Sequence, residues 1–229
     1  MMKSVVQKAQ LLWLVGLWLL LLSGLSGCLH LQGVKKLSHK QAELTELRTI
    51  SGEIFDLRKD VQKHKATVLF WWGNTCPCVK RYQARIQQLR KDFAKRGIQF
   101  YAIASNVDDN PVEIRKVAEK RKFNLPFIVD PNGRFARLMG VISTPTTMML
   151  DSKGHVRFRG WLDNERKPGQ SGRKPYLHTA LNKLLAKKAD KLVTAPVYGC
   201  TITRSFGSKD RRVTWAVRKK TTSCGCKMK

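Results

Sequence analysis

The chain has 229 residues, with 44 Lys+Arg against 16 Asp+Glu and a formal net charge of +28. That length suffices for one domain with a proper core plus extensions. The charge favours anionic surfaces such as phospholipid head groups, but no nucleic-acid motif accompanies it to lift binding above non-specific attraction.

Residues 1–27 read as an export signal. Lys3 and Lys8 precede an apolar run over residues 11–22, which is shorter than the roughly 20 residues that span a bilayer. The stretch Leu25-Ser26-Gly27-Cys28 resembles a bacterial lipobox, which implies a lipidated Cys28 as the mature N-terminus. Leu29 follows it in place of Asp, and by the same resemblance this points to the outer membrane where the cell has one. A lipid chain plus positive charge holds a protein to an anionic membrane. Residues 28–46 form a polar, basic tether. Residues 47–65 read as a strand or hairpin (50–57) followed by a charged turn or short helix (58–65).

The central stretch starts at Ala66. Residues 66–72 are apolar and rich in β-branched and aromatic types, the pattern of a buried strand. Gly73-Asn74 turns the chain. Val79, Tyr82, Ile86, Leu89 and Phe93 then recur at spacings of three and four, predicting an amphipathic helix. Pro77 suits its first turn. Cys76 and Cys78 lie at the junction. A helix N-terminus carries roughly half a positive charge, and Lys80 and Arg81 add to it, so Cys76 is expected as an exposed, readily ionised nucleophile.

This strand–Cys-Pro–helix junction resembles the thioredoxin-like redoxins, the group that includes membrane-anchored thiol–disulfide oxidoreductases and AhpC/TSA-type peroxiredoxin relatives. The resemblance covers residues 51–200. It implies an α/β, thioredoxin-like three-layer fold with a central mixed sheet flanked by helices. It implies thiol–disulfide exchange with protein clients and needs no cofactor. The chain departs from the family's Cys-x-x-Cys: Val79 holds the fourth position, and the second cysteine has moved to Cys78.

Gly97 stops the helix. Residues 98–104 are a second buried strand, and 105–111 a polar loop. Pro111 opens a helix to about residue 122, with Val112, Val117 and Ala118 as its apolar face. Residues 125–129 are extended and end in the turn Asp130-Pro131-Asn132-Gly133. Residues 134–139 form one or two helical turns. This alternation predicts a largely parallel core. Ser143-Thr144-Pro145-Thr146 resembles the family's cis-proline loop, which implies that Pro145 lies against Cys76 and that the Thr144 backbone pairs with a client. Trp72 is grouped with Thr144 and Pro145 as a client contact. Residues 151–154 make a hairpin turn. Residues 155–161 are the return strand, with His155 facing solvent. The loop 163–175 is long, and residues 175–188 close the fold with Leu177, Leu181, Leu184 and Leu185 on one helix face. This gives a leader at 1–27, a tether at 28–46, a domain at 47–190 and a basic extension at 191–229.

The extension holds Cys200, in a Gly-Cys-x-Ile segment that resembles the end of some redoxins, one strand around residues 213–217, and Cys224-Gly225-Cys226. Residues two apart do not share a helix face, so a Cys76–Cys78 bridge requires non-helical backbone at Cys76 or strain. Either Cys78 or Cys200 resolves Cys76, and the residues leave this open. The leading function is a lipid-anchored envelope thiol–disulfide oxidoreductase. The alternatives are a thiol peroxidase and a Cu(I)-binding redoxin-fold protein using the Cys-x-Cys pairs. No metal site is assigned.

Overall fold

The computed structural model describes residues 36, 46–165, 170–189 and 191–204. The leader, Cys28, nearly all of the tether, and the tail with the expected strand at 213–217, Cys224 and Cys226 lie outside the described residues. Among the described residues no helix is long and apolar enough to cross a membrane.

Arg48–Thr49 (β1) bridges back to Ile54 through a tight turn, so the strand precedes the 50–57 stretch in which a strand or hairpin is expected. Leu57–Val61 (α1) follows, capped by the Asp56 carboxylate accepting from the Lys59 N–H at 3.0 Å. Ala66–Trp72 (β2) is buried along its whole length. Ala66, Val68, Phe70 and Trp72 enter one core cluster, while Leu69 and Trp71 enter another. Successive strand residues point to opposite faces, so β2 is covered on both sides and its sequence reads as continuously apolar.

Pro77–Ala94 (α2) has Pro77 in its first turn and buries Val79, Tyr82, Ile86 and Phe93, as the spacing predicts. Gly97 takes φ +88°, the left-handed geometry of a helix stop. Ile98–Ala104 (β3) pairs parallel with β2. Pro111–Lys120 (α3) is capped by Asn110, whose Oδ1 accepts from the Val112 and Glu113 N–H groups. Its buried face is Ile114 and Ala118, with Val117 alongside. Val112 is exposed, contrary to expectation. Ile114, Val117 and Ala118 obey the three-and-four rule, and Val112 lies on the other side. Phe127–Val129 (β4) pairs parallel with β3 and antiparallel with β1. Buried Asp130 then accepts from the Phe135 and Ala136 N–H groups at the start of Arg134–Leu138 (α4) and from the Ser105 hydroxyl.

Ser143–Thr144 (β5) stands apart from the main sheet. Thr147–Asp151 (β6) runs antiparallel to β2, and Val156–Gly160 (β7) returns antiparallel to β6 through the turn ending at Gly154. His155 precedes β7 and sits against the Asp151 carboxylate. Tyr176–Leu185 (α5) packs Leu177, Ala180 and Leu181 into the first cluster. The loop before α5 is tied at its start, where the nearly fully buried Asp163 carboxylate pairs with Arg85 and Arg173. Val193–Thr194 (β8) pairs parallel with β7, and Cys200–Thr201 (β9) pairs with β5. Residues beyond the expected boundary at 190 thus contribute to both sheets.

The main sheet has seven strands in the order β1-β4-β3-β2-β6-β7-β8. β4, β3 and β2 form one parallel block, β8 lies parallel to β7, and the β1–β4, β2–β6 and β6–β7 pairs are antiparallel. The expectation of a largely parallel core fails because the short turn at 151–154 allows β7 only to run back beside β6. Helices α2, α3 and α5 share one core cluster, while α1 and α4 share the other. The result is a thioredoxin-like three-layer α/β architecture with a mixed sheet.

Candidate active site

The parallel strands β2 and β3 point their carboxyl ends at one place, and the loops leaving them build the site. Cys76 is the N-cap of α2, with extended backbone at φ −75° and ψ 115°. The Lys80 N–H donates to its carbonyl at 3.2 Å. The turn before it is fixed by buried polar groups. Trp72 Nε1 donates to Asn74 Oδ1 at 2.7 Å, and the Asn74 N–H donates to Asp109 Oδ1 at 3.0 Å. Asn106 Nδ2 donates to Asp109 Oδ2 at 2.7 Å and to the Trp72 carbonyl at 3.3 Å. Arg121 donates to the Asn74 carbonyl and lies over the Trp72 ring. Gly73 lies close to its neighbours: a Cβ there would meet Thr144 Oγ1 at 3.1 Å and Cys76 Cβ at 3.2 Å, tight contacts that those groups would have to yield to. Burial pushes the Asp109 carboxyl up, against its hydrogen bonds from Asn106 and Asn74.

Thr144–Pro145 is a cis peptide. The Cys76 thiol donates to the Thr144 carbonyl at 3.3 Å. Strand β9 lies on the other side: Thr144 pairs with Cys200 and Ser143 with Thr201. The structure therefore brings Cys76, Cys78 and Cys200 together, with their sulfurs within 4.8 Å of one another. Cys76 and Cys200 are thiols. Cys78, at the second position of α2, is disulfide-bonded, and its partner is neither of these two. In this state Cys76 and Cys78 are not bridged. As thiolates, three such sulfurs would suit a soft metal ion, but the Cys78 disulfide withdraws one donor. The Cys224-Cys226 half of the Cu(I) alternative lies outside the described residues.

Three expectations about the site are corrected. Cys76 is not exposed: it is 3 % accessible, and Cys200 of β9 lies beside it. Its thiol is nonetheless lowered from 9.0 to about 6, chiefly by the Cys200 side chain hydrogen-bonding to it, against the opposing effect of burial. Thr144 and the N–H groups of Val79 and Cys200 add to the lowering, although the Val79 N–H closes no full capping bond. The dominant cause is therefore hydrogen bonding to the sulfur and not Lys80 or Arg81. Arg121 is the guanidinium that senses the Cys76 charge, as a lesser influence than those bonds. Trp72 is fully buried, among Phe123 and Phe127. It orients the Asn74 turn and offers no surface to a client. Thr144 and Pro145 are buried as well, beneath β9.

The chain matches the AhpC/TSA family over residues 39–159, more than half its length. The chain belongs to the AhpC/TSA family. Among curated proteins this family member is similar to the thiol-disulfide oxidoreductase ResA of Bacillus cereus, at 26% identity over 143 residues, 60% of this chain and 80% of the relative. It is similar to ResA of Geobacillus thermodenitrificans at 27% over 93 residues, 41% of this chain and 52% of the relative. The chain thus spans between half and four fifths of the length of these relatives. Among solved structures it resembles an uncharacterized conserved protein from Geobacillus kaustophilus, with 27% identity and a TM-score of 0.63, covering 72% of this chain and 90% of that one. A hypothetical protein from Sinorhizobium meliloti shares the fold at 22% identity and a TM-score of 0.61, covering 70% and 91%.

Asn106, Asp109 and Arg121 carry the turn before Cys76, and pattern reading passes over them as loop and helix-end polar residues. A signal did exist. The Ser105–Asn110 loop leaves the carboxyl end of a strand parallel to β2, so it must flank Cys76.

Proposed function

We propose that this protein is an envelope thiol–disulfide oxidoreductase in which Cys76 is the nucleophile and Cys200 the resolving thiol. The carrying observation is the closeness of two thiols, Cys76 and Cys200, whose sulfurs lie within 4.8 Å of one another where β9 pairs with Ser143–Thr144. Family membership and the named relatives support the reaction class. The apolar stretch near the start of the sequence and the lipobox-like Leu25-Ser26-Gly27-Cys28 support a membrane-anchored, outward-facing location, with the net charge of +28 adding attraction to anionic head groups.

The steps balance as exchange. The Cys76 thiolate attacks one sulfur of a client disulfide. That S–S bond breaks, a Cys76–client disulfide forms, and the released client thiolate takes up a proton. The Cys200 thiolate then attacks the Cys76 sulfur and expels the second client thiolate. The client has gained two electrons and the protein carries a Cys76–Cys200 disulfide. The reverse sequence oxidises a client dithiol, and a dithiol donor resets the enzyme after the forward one.

Trapping tests this. A Cys200→Ser variant is expected to accumulate a Cys76 mixed disulfide with client, and mild oxidation of the wild type to give a Cys76–Cys200 bridge by non-reducing peptide mass spectrometry. A Cys76–Cys78 bridge in place of it would overturn the assignment of Cys200. Peroxide consumption outpacing disulfide exchange would move the protein to the peroxidase alternative.

A further inference from the structure

The edge of β5 beside Cys76 is occupied by the chain's own later segment. Ser143 and Thr144 pair antiparallel with Thr201 and Cys200, and the Ile202 N–H donates to the Ile142 carbonyl at 2.9 Å. The approach is close enough that a Cβ on Gly199 would lie 2.0 Å from the Thr144 carbonyl oxygen. Contacts on either side of the pairing also hold the segment: the Trp161 N–H donates to the Pro196 carbonyl at 3.1 Å, the Val107 N–H to the Thr203 carbonyl at 2.9 Å, and Arg204 to the Val141 carbonyl at 2.7 Å. Trp161 Nε1 donates to the Tyr198 carbonyl at 2.6 Å, the Ile202 side chain is buried in the core cluster of α1 and α4, and the Thr203 N–H donates to Asn106 Oδ1 at 3.0 Å. The pairing is two residues long, against seven between β2 and β3. An extended peptide docks by adding a strand to an open sheet edge. Here the main chain next to the reactive sulfur is already paired, and the paired strand presents a cysteine to Cys76.

We propose that β9 is a tethered stand-in for a client, occupying the edge on which an extended, cysteine-bearing client segment docks, so that a client reaches Cys76 only after β9 leaves Ser143–Thr144. This rests on the reading of Cys76 as the exchanging thiol. Cys200 then has two positions. Closed, it takes the place of the client cysteine; on returning after exchange, it meets the Cys76 sulfur. Client affinity is lowered in proportion to the fraction of time the edge stands open.

Gly199→Ala places a Cβ on the Thr144 carbonyl and forces β9 off the edge. Ile202→Ala withdraws the buried anchor by a different route and guards against a folding artefact in the first variant. In the full chain the rate of Cys76 alkylation by iodoacetamide is read by peptide mass spectrometry at pH 8, where the thiol with its midpoint near 6 is ionised. Folding is checked by near-ultraviolet circular dichroism. At least one folded variant is expected to alkylate about tenfold faster than wild type, the rise for an edge that was open about a tenth of the time. Rates equal to wild type in both would overturn the proposal. Alkylation requires no exchange chemistry. Faster alkylation in a protein that exchanges no disulfide would therefore sink the proposed function alone, and exchange at the same rate in wild type and variants would sink the stand-in alone.

Discussion

Replacing Cys200 by Ala removes the largest single cause of the lowered Cys76 thiol and leaves the rest of the site in place. Hydrogen bonds bring the Cys76 sulfur from 9.0 to about 6. A hydrogen bond to a charged group is worth about 1.5–3 kcal/mol, and one pKa unit about 1.4 kcal/mol. Losing the Cys200 donor should therefore raise the Cys76 midpoint by about 1–2 units, partly offset as water enters the space and relieves desolvation. Thr144 and the N–H groups of Val79 and residue 200 still favour the anion, so the midpoint stays below 9.0. The sign is fixed by chemistry: a donor stabilises the thiolate, and its removal favours the protonated form. The assay is the pH dependence of Cys76 alkylation, read on the Cys76 peptide, in wild type and variant. A midpoint that stays put or falls would show that the Cys200 sulfur does not set the ionisation of Cys76.

Two further outcomes follow from the same geometry. Arg121→Met retains bulk against Trp72 and removes the guanidinium. Because that charge is partly exposed and ranks below the hydrogen bonds, the Cys76 midpoint should rise by less than about one unit, measured by the same titration. Asp130→Ala leaves the Phe135 and Ala136 N–H groups unpartnered in a buried place. At about 1–3 kcal/mol per orphaned group, the variant should lose about 3 kcal/mol in urea unfolding, and a loss below about 1 kcal/mol would mean that α4 does not depend on this cap.

The strand and helix flanking Cys76 were legible because each obeys one simple period. Residues 66–72 are apolar without a break, and 79–93 repeat every three or four. The depth of Cys76 was not legible. A cysteine at a strand–helix junction reads as exposed from its neighbours in sequence, and the segment that hides it begins more than a hundred residues later. The pairing of Thr144 with Cys200 involves two residues on each side, too few for any alternation to register. Val112 faces solvent on α3 for a different reason. Val112 lies off the helical period that Val117 and Ala118 share, and Ile114 is the residue that completes their face.

Burial and ionisation usually oppose each other at a cysteine, and here they are linked through one strand. Burial of the Cys76 sulfur by itself raises its pKa, and β9 brings beside it the side-chain and backbone donors of Cys200, which lower it. The covered sulfur is therefore largely an anion at neutral pH while remaining out of reach. When β9 leaves, the sulfur becomes accessible and loses its strongest donor together. A thiolate of higher pKa is intrinsically the better nucleophile, and attack is fastest when the thiol pKa lies near the ambient pH. Departure of β9 thus shifts Cys76 toward that optimum at the moment a client disulfide can reach it. A single two-residue pairing therefore couples access to Cys76 with its reactivity, and the coupling needs no movement of β2 or α2, which the two cores hold fixed.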